Sequence, residues 1–244
     1  MIPAEKKRWF ETMFAAYNRW LIGRSFAGLH VRGLERWTGA SGPVVLIANH
    51  SNWWDGLLLF QVNQLLLRRD FYVMMEEKGL RAYPFFRKLG AYSIRRDSTA
   101  DIRASLRYTA DRLQSPNALV CLFPQGRIRH QEVRPLDFAP GVALALRDAP
   151  PDAKICLATL NYSFLEDQRP EAFLALSEPM SVRDLLAADP DSAKNLTARL
   201  ERHLTVQLDS QRAALLCGDA TGYRNVLRGK LSTGDWYRRV FQRA

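Results

Sequence analysis

Short apolar runs and longer helical patterns alternate along the middle of this chain. The runs are rich in β-branched or aromatic residues and apolar enough to be covered on both faces, as strands of a buried parallel sheet are. They span residues 44–48, 71–75, 91–94, 119–123 and 155–162. Helical patterns span residues 56–67, 100–113, 141–147 and 193–208. Strands separated by helices predict a single α/β domain with a largely parallel or mixed central sheet flanked by helices.

A further helical pattern precedes the first of these strands. Between residues 6 and 21, large apolar side chains recur every three or four positions, which predicts an amphipathic helix. They are Trp9, Phe10, Met13, Phe14, Tyr17, Trp20 and Leu21. The opposite face is expected to carry Lys7, Glu11, Asn18 and Arg19. Aromatic side chains beside basic ones favour a helix that docks on a membrane surface, and docking on the protein's own core is the alternative.

The positive charge of the chain is concentrated at its two ends. The net charge is +10, and residues 1–36 hold seven basic side chains against three acidic ones, while residues 222–244 hold six against one. We therefore divide the chain into an N-terminal amphipathic segment (1–36), a catalytic domain (37–220) and a basic, aromatic C-terminal segment (221–244). In the last segment, Trp236, Tyr237 and Phe241 either extend a membrane-facing patch or cap the fold. Such cationic surfaces attract anionic lipid headgroups, an acidic carrier protein or nucleic acid.

Membrane-spanning and disulfide-stabilised classes are not indicated. The sequence has no run of about 18 apolar residues and no signal-peptide pattern, so we expect a peripheral protein that lies on the membrane. The three cysteines are widely spaced, which suggests neither a disulfide framework nor a metal cluster and favours a reducing compartment. We expect no metal ion.

A histidine and an aspartate directly follow the first predicted strand of the domain. His50 lies at the end of run 44–48, at the sheet edge where α/β folds usually hold their active sites. On a straight helix Asp55 would be about 140° away, so the two meet only if His50 lies in the turn and Asp55 at the helix start. Asp55 could then orient His50 as a general base for an external hydroxyl. The alternative is a histidine that only fills a turn.

Two later strands also end in basic residues. Run 91–94 is followed by Arg95 and Arg96, and run 119–123 by a loop that contains Arg127 and Arg129. In a parallel sheet these ends share one edge with His50, so the arginines could converge and bind a phosphate; solvated surface arginines are the alternative. We expect the remaining histidines to be structural: His30, His130 and His203.

These motifs resemble those of the glycerolipid acyltransferase family, which includes the 1-acylglycerol-3-phosphate acyltransferases. Its His-x4-Asp block is matched by His50 and Asp55, and its glycine-led strand that ends in arginine by Gly90 to Arg96. Its third block, typically Phe-Pro-Glu-Gly-Thr-Arg-Ser, is matched at Phe123, Pro124 and Gly126, and its fourth resembles Phe138-Ala139-Pro140-Gly141. The four blocks follow in family order over residues 43–162, about half the chain.

The resemblance implies an enzyme that transfers an acyl group to the hydroxyl of a lipid. It implies that His50 is the general base, that Asp55 is its partner, and that Arg96 contacts a phosphate or headgroup. Residues 123–126 would form part of the acceptor site. The acyl group would come from acyl-CoA or acyl carrier protein as co-substrate, with no other cofactor. An aromatic N-terminal helix would dock on the cytoplasmic face of a membrane.

The chain departs from the family in the third block. Gln125 replaces the usual glutamate, Arg127 stands where threonine is usual, and Arg129 is the candidate for the displaced arginine. Glutamine keeps an acceptor oxygen but loses the negative charge. The acceptor therefore stays open among a lysophospholipid, a glycolipid, an aminolipid and a lipidic pigment alcohol.

Two other functions compete with acyl transfer. One is a non-catalytic basic protein that binds membranes or nucleic acid, but zinc-ligand spacing, a Walker-type loop, a dinucleotide glycine pattern and an RNA-recognition signature are all missing from the sequence. We therefore expect no nucleic-acid partner. The other is a thioesterase-like hydrolase that uses the same base to activate water.

Overall fold

The computed structural model describes residues 1–37, 41–187 and 193–230. The strands are β1 (Gly28–Arg32), β2 (Val44–Ala48), β3 (Asp70–Glu76), β4 (Ala91–Ile94), β5 (Ala118–Leu122), β6 (Lys154–Ser163), β7 (Glu171–Leu176), β8 (Met180–Ser181) and β9 (Arg224–Arg228). The helices are α1 (Arg8–Ser25), α2 (Asp55–Val62), α3 (Glu77–Ala82), α4 (Thr99–Leu113), α5 (Gly141–Arg147), α6 (Val182–Ala187) and α7 (Ala193–Leu216).

The strands form one mixed sheet in the order β4-β3-β5-β2-β6-β7-β1-β9, with the short β8 paired to β6. The five strands from β4 to β6 are parallel to their neighbours. Strand β7 runs antiparallel to β6, β1 is parallel to β7, and β9 is antiparallel to β1. The predicted α/β domain is confirmed. Because the central strands are parallel, their carboxyl ends meet at one edge.

The central strands are buried because helices cover both faces of the sheet. Every residue of β2 and β5 is buried. In β2, Val44 and Leu46 pack in one apolar cluster with α1 and α2, whereas Val45 and Ile47 pack in a second cluster with α4, α5 and α7. This alternation explains why the strands have no polar face in the sequence.

The five strands and the five helices predicted from the sequence are all present. The predicted helix 56–67 is shorter than expected, because α2 ends at Val62 and residues 63–67 form a π-helical turn that closes at Arg68 with a φ of 52°. Strands β1, β7, β8 and β9 and helices α3 and α6 were not predicted. Residues 221–230 of the predicted C-terminal segment contribute β9 to the sheet, and Trp236, Tyr237 and Phe241 lie outside the described residues.

Helix α1 corrects one expectation from the sequence. Asn18, expected on the outer polar face, is buried, and its Nδ2 donates to Leu57 O and to Gln61 Oε1, each at 3.0 Å. Part of the predicted apolar face instead points outward: Trp9, Met13, Tyr17 and Trp20 are 64%, 53%, 51% and 46% exposed. Among the described residues, no helix is both long and apolar enough to cross a membrane.

Candidate active site

His50 lies in the turn that follows β2, where two backbone hydrogen bonds hold it. Its N–H donates to Gln125 Oε1 at 2.6 Å, and its carbonyl accepts from Arg129 N at 2.9 Å. Both partners belong to the loop after β5 (residues 123–131), here called the β5 loop. Because β5 pairs directly with β2, the two loops leave the sheet side by side. The β5 loop therefore fixes the backbone position of His50.

Asp55 is the first residue of α2 and is fully buried. Its Oδ2 accepts from Ser51 N at 2.7 Å, Asn52 N at 2.9 Å and His50 Nδ1 at 2.8 Å. The turn and the helix start thus meet as the spacing of the motif requires. Because a carboxylate accepts but cannot donate, Nδ1 of His50 carries the proton and Nε2 keeps a free lone pair.

The imidazole of His50 is both supported and accessible. Its ring stacks on Phe123 with 4.4 Å between the ring centroids and 27° between the planes. The side chain is 23% exposed and lines a cavity of about 740 Å³. An imidazole that is held through Nδ1 beside an open space can remove a proton from a hydroxyl or from water.

The cavity is apolar apart from a few charged side chains. Its walls come from α2, α4, α5 and the ends of β3, β4 and β5, and include Phe60, Met74, Ile102, Leu106 and Leu144. The polar side chains of the lining are His50, Glu76, Arg96 and Arg127. This composition fits a ligand that combines a hydrocarbon chain with an anionic group.

Six of the predicted site residues line this cavity together. They are His50, Arg96, Phe123, Pro124, Gly126 and Arg127. Gly126 has a φ of 64°, and a Cβ there would lie 2.8 Å from Arg96 Nη1. The glycine thus allows the guanidinium of Arg96 to approach the β5 loop closely.

The other two predicted binding residues do not line the cavity. The side chain of Gln125 is buried and bonds to the backbone of His50. The guanidinium of Arg129 is largely covered and pairs with Asp137. Their predicted role in substrate binding stays a prediction, and their observed contacts are within the protein.

The three remaining histidines lie elsewhere. His30 on β1 pairs with Glu171 and stacks on Phe173, with 4.7 Å between the ring centroids. His130 Nδ1 accepts from Glu132 N at 3.3 Å, and His203 is exposed on α7. The parts of the chain that the structure describes contain no group of three or more side chains suited to hold a metal ion.

Sequence reasoning missed one side chain of the site, Tyr162. Its hydroxyl donates to Asp55 Oδ1 at 2.5 Å. Burial raises the pKa of this phenol well above its usual value, and the neighbouring charge of Asp55 raises it further. The sequence did carry one signal, because Tyr162 lies at the end of a predicted strand. That strand is β6, which pairs with β2 and brings Tyr162 to the same edge of the sheet as His50.

Asn49 also joins β2 to β6 next to the site. Its Nδ2 donates to Leu160 O at 3.0 Å, and its Oδ1 accepts from Leu160 N at 2.8 Å. The buried asparagine thereby satisfies the backbone of the neighbouring strand where the His50 turn begins.

Comparison with known proteins gives two findings. The family model described as Acyltransferase matches residues 28–163, from the start of β1 to the end of β6. The fold is similar to that of the 1-acyl-sn-glycerophosphate (LPA) acyltransferase PlsC from Thermotoga maritima, with a TM-score of 0.58 and 12% sequence identity over 84% of this chain and 79% of that chain. No curated protein matches the sequence.

Proposed function

Because the chain belongs to the acyltransferase family, we propose that it transfers a fatty acyl group from an acyl thioester to the hydroxyl of a lysophospholipid or a related lipid. The observation that carries this proposal is the arrangement of His50. Its Nδ1 bonds to the buried Asp55 at 2.8 Å, while the ring lines an apolar cavity. A base that is oriented in this way and open on its other side can activate an alcohol.

The proposed reaction uses Nε2 of His50 as the general base. This nitrogen removes the proton of the acceptor hydroxyl as the oxygen attacks the thioester carbonyl, and backbone N–H groups stabilise the oxyanion that develops. When the intermediate collapses, the C–S bond breaks and the thiol leaves with the proton that His50 had taken. The acyl group ends as an ester of the acceptor, so atoms and charge balance without a further reactant.

The cavity supports a substrate with a long hydrocarbon chain. Its walls are almost entirely apolar, and its volume is about 740 Å³. We therefore propose that the acyl chain occupies it. Arg96 and Arg127, the basic side chains of the lining, would bind a phosphate, either that of a lysophospholipid acceptor or that of the CoA or carrier-protein donor.

Helix α1 supports a peripheral position on a membrane, which we propose to be its cytoplasmic face. The helix packs Phe14 and Ile22 into the core and leaves the row of Trp9, Met13 and Trp20 exposed. Exposed basic side chains accompany this row on the same helix and at the residue before it: Arg8, Arg19, Arg24 and Lys7. Aromatic and basic side chains together fit the interface between headgroups and acyl chains.

Incubation of the purified protein with acyl-CoA or acyl carrier protein and a panel of lysolipids and lipid alcohols tests the catalytic proposal. Thiol release and product mass report the reaction. We expect His50→Ala to lower turnover on the order of 10³-fold or more, as loss of a catalytic base does. The exposed His203→Ala is the matched control and should keep full activity. Free fatty acid with every acceptor would instead identify a hydrolase.

Sedimentation with anionic and neutral vesicles tests the membrane proposal. Replacing Trp9 and Trp20 by serine should weaken binding to anionic vesicles by about tenfold or more, because the helix loses its two indole anchors. The control is Val206→Ser, which removes an apolar side chain of equal exposure to that of Trp9 from α7. Equal binding of all three proteins would contradict docking through α1.

A further inference from the structure

Tyr162, near the carboxyl end of β6, is fixed on several sides. Its hydroxyl donates to Asp55 Oδ1 at 2.5 Å. Its backbone N–H donates to Gln131 Oε1 at 3.0 Å, and its carbonyl accepts from Gln131 Nε2 at 3.1 Å. Its ring contacts that of Phe26, with 5.9 Å between the centroids. The β5 loop therefore fixes the backbone of Tyr162, and the segment after α1 packs against its ring.

We propose that Tyr162 is a positioning residue of this active site, which fixes the rotation of the Asp55 carboxylate and, through it, the ring of His50. The inference rests on the proposed function, in which His50 is the base. Tyr162 does not line the cavity, so it acts through Asp55 and not on the substrate.

The two oxygens of Asp55 accept hydrogen bonds from different donors. Oδ2 accepts from His50 Nδ1 and from the N–H groups of Ser51 and Asn52, whereas the phenol of Tyr162 occupies Oδ1. Asp55 is fully buried, so water cannot replace a lost donor at Oδ1. Without the phenol, Oδ1 has no donor and the carboxylate is free to rotate, so the ring of His50 loses its fixed orientation.

The phenol can serve as a donor at every pH at which the enzyme would be assayed. Burial and the charge of Asp55 keep its pKa well above the usual value, so it remains protonated. It also draws negative charge toward Oδ1 and away from the oxygen that faces His50. Its removal should strengthen the attraction between Asp55 and the imidazolium, and the pH at which His50 titrates should rise.

The other titratable and charged groups around this pair stay in place when Tyr162 changes. Cys121 of β5 lies near enough that the charge of Asp55 adds to burial in raising the pKa of its thiol. The charged side chains that line the same cavity as His50 are Glu76, Arg96 and Arg127. Because none of them bonds to Tyr162, a change in the titration of His50 would report the loss of the phenol.

Tyr162→Phe in the full chain tests the proposal, since phenylalanine keeps the ring and its contact with Phe26. The matched control is Tyr92→Phe, which removes another buried hydroxyl, one that bonds to Thr109 Oγ1 at 2.6 Å and not to Asp55. Steady-state kinetics over a range of pH and an NMR titration of the His50 ring are measured for each protein. The His50 signal is identified by its loss in His50→Gln.

We expect Tyr162→Phe to lower kcat by about tenfold or more with KM changed by less than about twofold, because geometry at the base is lost and binding is kept. The acidic limb of the pH profile should move to higher pH, and the His50 signal should follow it. Tyr92→Phe should match the wild type in both respects.

Two results would overturn the proposal: a His50 titration unchanged in Tyr162→Phe, or a loss of activity that the control shares in full. Failure of the proposed function has a different signature. In that case the wild type would transfer no acyl group to any acceptor, while the NMR titration would still decide whether the phenol controls His50.

Discussion

Gln125 stands where the family usually has glutamate, and its side chain contacts the backbone of His50. Its Oε1 accepts the N–H of His50 at 2.6 Å, and the side chain is buried. A neutral amide supplies this acceptor without the cost of burying a carboxylate. The departure is thus compatible with a site in which this position supports the base from within the protein.

Substitutions at Gln125 separate the acceptor atom from the charge. Gln125→Ala leaves the N–H of His50 without a partner, and we expect kcat/KM to fall by about 10- to 100-fold. Gln125→Glu keeps an acceptor oxygen and should stay within about tenfold of the wild type. The control is Gln114→Ala, at the exposed residue that follows α4. An alanine variant as active as the wild type would show that Gln125 does not support His50.

The cysteines give a second prediction at the residue scale. Burial raises the pKa of Cys156 to about 12 and also raises that of Cys121, whereas Cys217 is exposed. Since the thiolate is the reactive form, iodoacetamide at pH 8 should modify the folded protein at Cys217 and leave the other two intact. Peptide mass mapping measures this. Cys217→Ser should take up no label until the chain is unfolded, and early labelling of either buried thiol would contradict the structure.

At the scale of elements, the sequence predicted the strands that are buried on both sides and missed those at the other end of the sheet. Strand β7 has the sequence EAFLAL, most of whose residues favour helices, and β9 is the five-residue segment RNVLR, in which only two residues are apolar. Pairing with β6 and β1 outweighs these local preferences. Both strands also pair with β1, which lies far away in the chain, so no local pattern indicated their place in the sheet.

The difference between local and distant contacts also explains which parts of the site could be predicted from the sequence. The meeting of His50 and Asp55 follows from their spacing at the end of a strand, which is local information. The contact of Asp55 with Tyr162 spans 107 positions and exists because β6 pairs with β2. The buried position of Asn18 could not be predicted either, because its partners Leu57 and Gln61 belong to another helix.

The contact between α1 and α2 yields a prediction for that pair of helices. Asn18→Ala removes the donor to the buried Gln61 Oε1, so we expect the free energy of unfolding to fall by about 1–3 kcal/mol. Urea denaturation measures the difference. Thr12→Ala is the control, since its hydroxyl bonds within the exposed side of the same helix. A loss no larger than that of the control would mean that the buried amide contributes nothing to docking of α1.

At the scale of the whole molecule, one sheet joins the parallel strands beside the cavity to an outer group of three strands. The parallel strands β4, β3, β5, β2 and β6 bring their carboxyl ends to the edge of the sheet at which His50 lies, and β7, β1 and β9 continue the sheet beyond β6. Helix α1 joins the two parts, because Phe14 and Ile22 pack in the same core cluster as Leu227 of β9. Stability of the β9 side should therefore support the helix that we propose to dock on membranes.

Truncation after residue 220 tests this coupling. The chain 1–220 lacks β9, so the outer edge of β1 loses its partner, α1 loses its contact with Leu227, and the hydrogen bond from Lys230 N to Gly23 O is absent. We expect a lower unfolding temperature and self-association through the unpaired strand. The chain 1–230 keeps β9 and is the matched control, which should unfold at a higher temperature and self-associate less than 1–220. Thermal unfolding and size-exclusion chromatography compare the three proteins. Identical behaviour of 1–220 and 1–230 would show that β9 neither protects the edge of β1 nor supports α1.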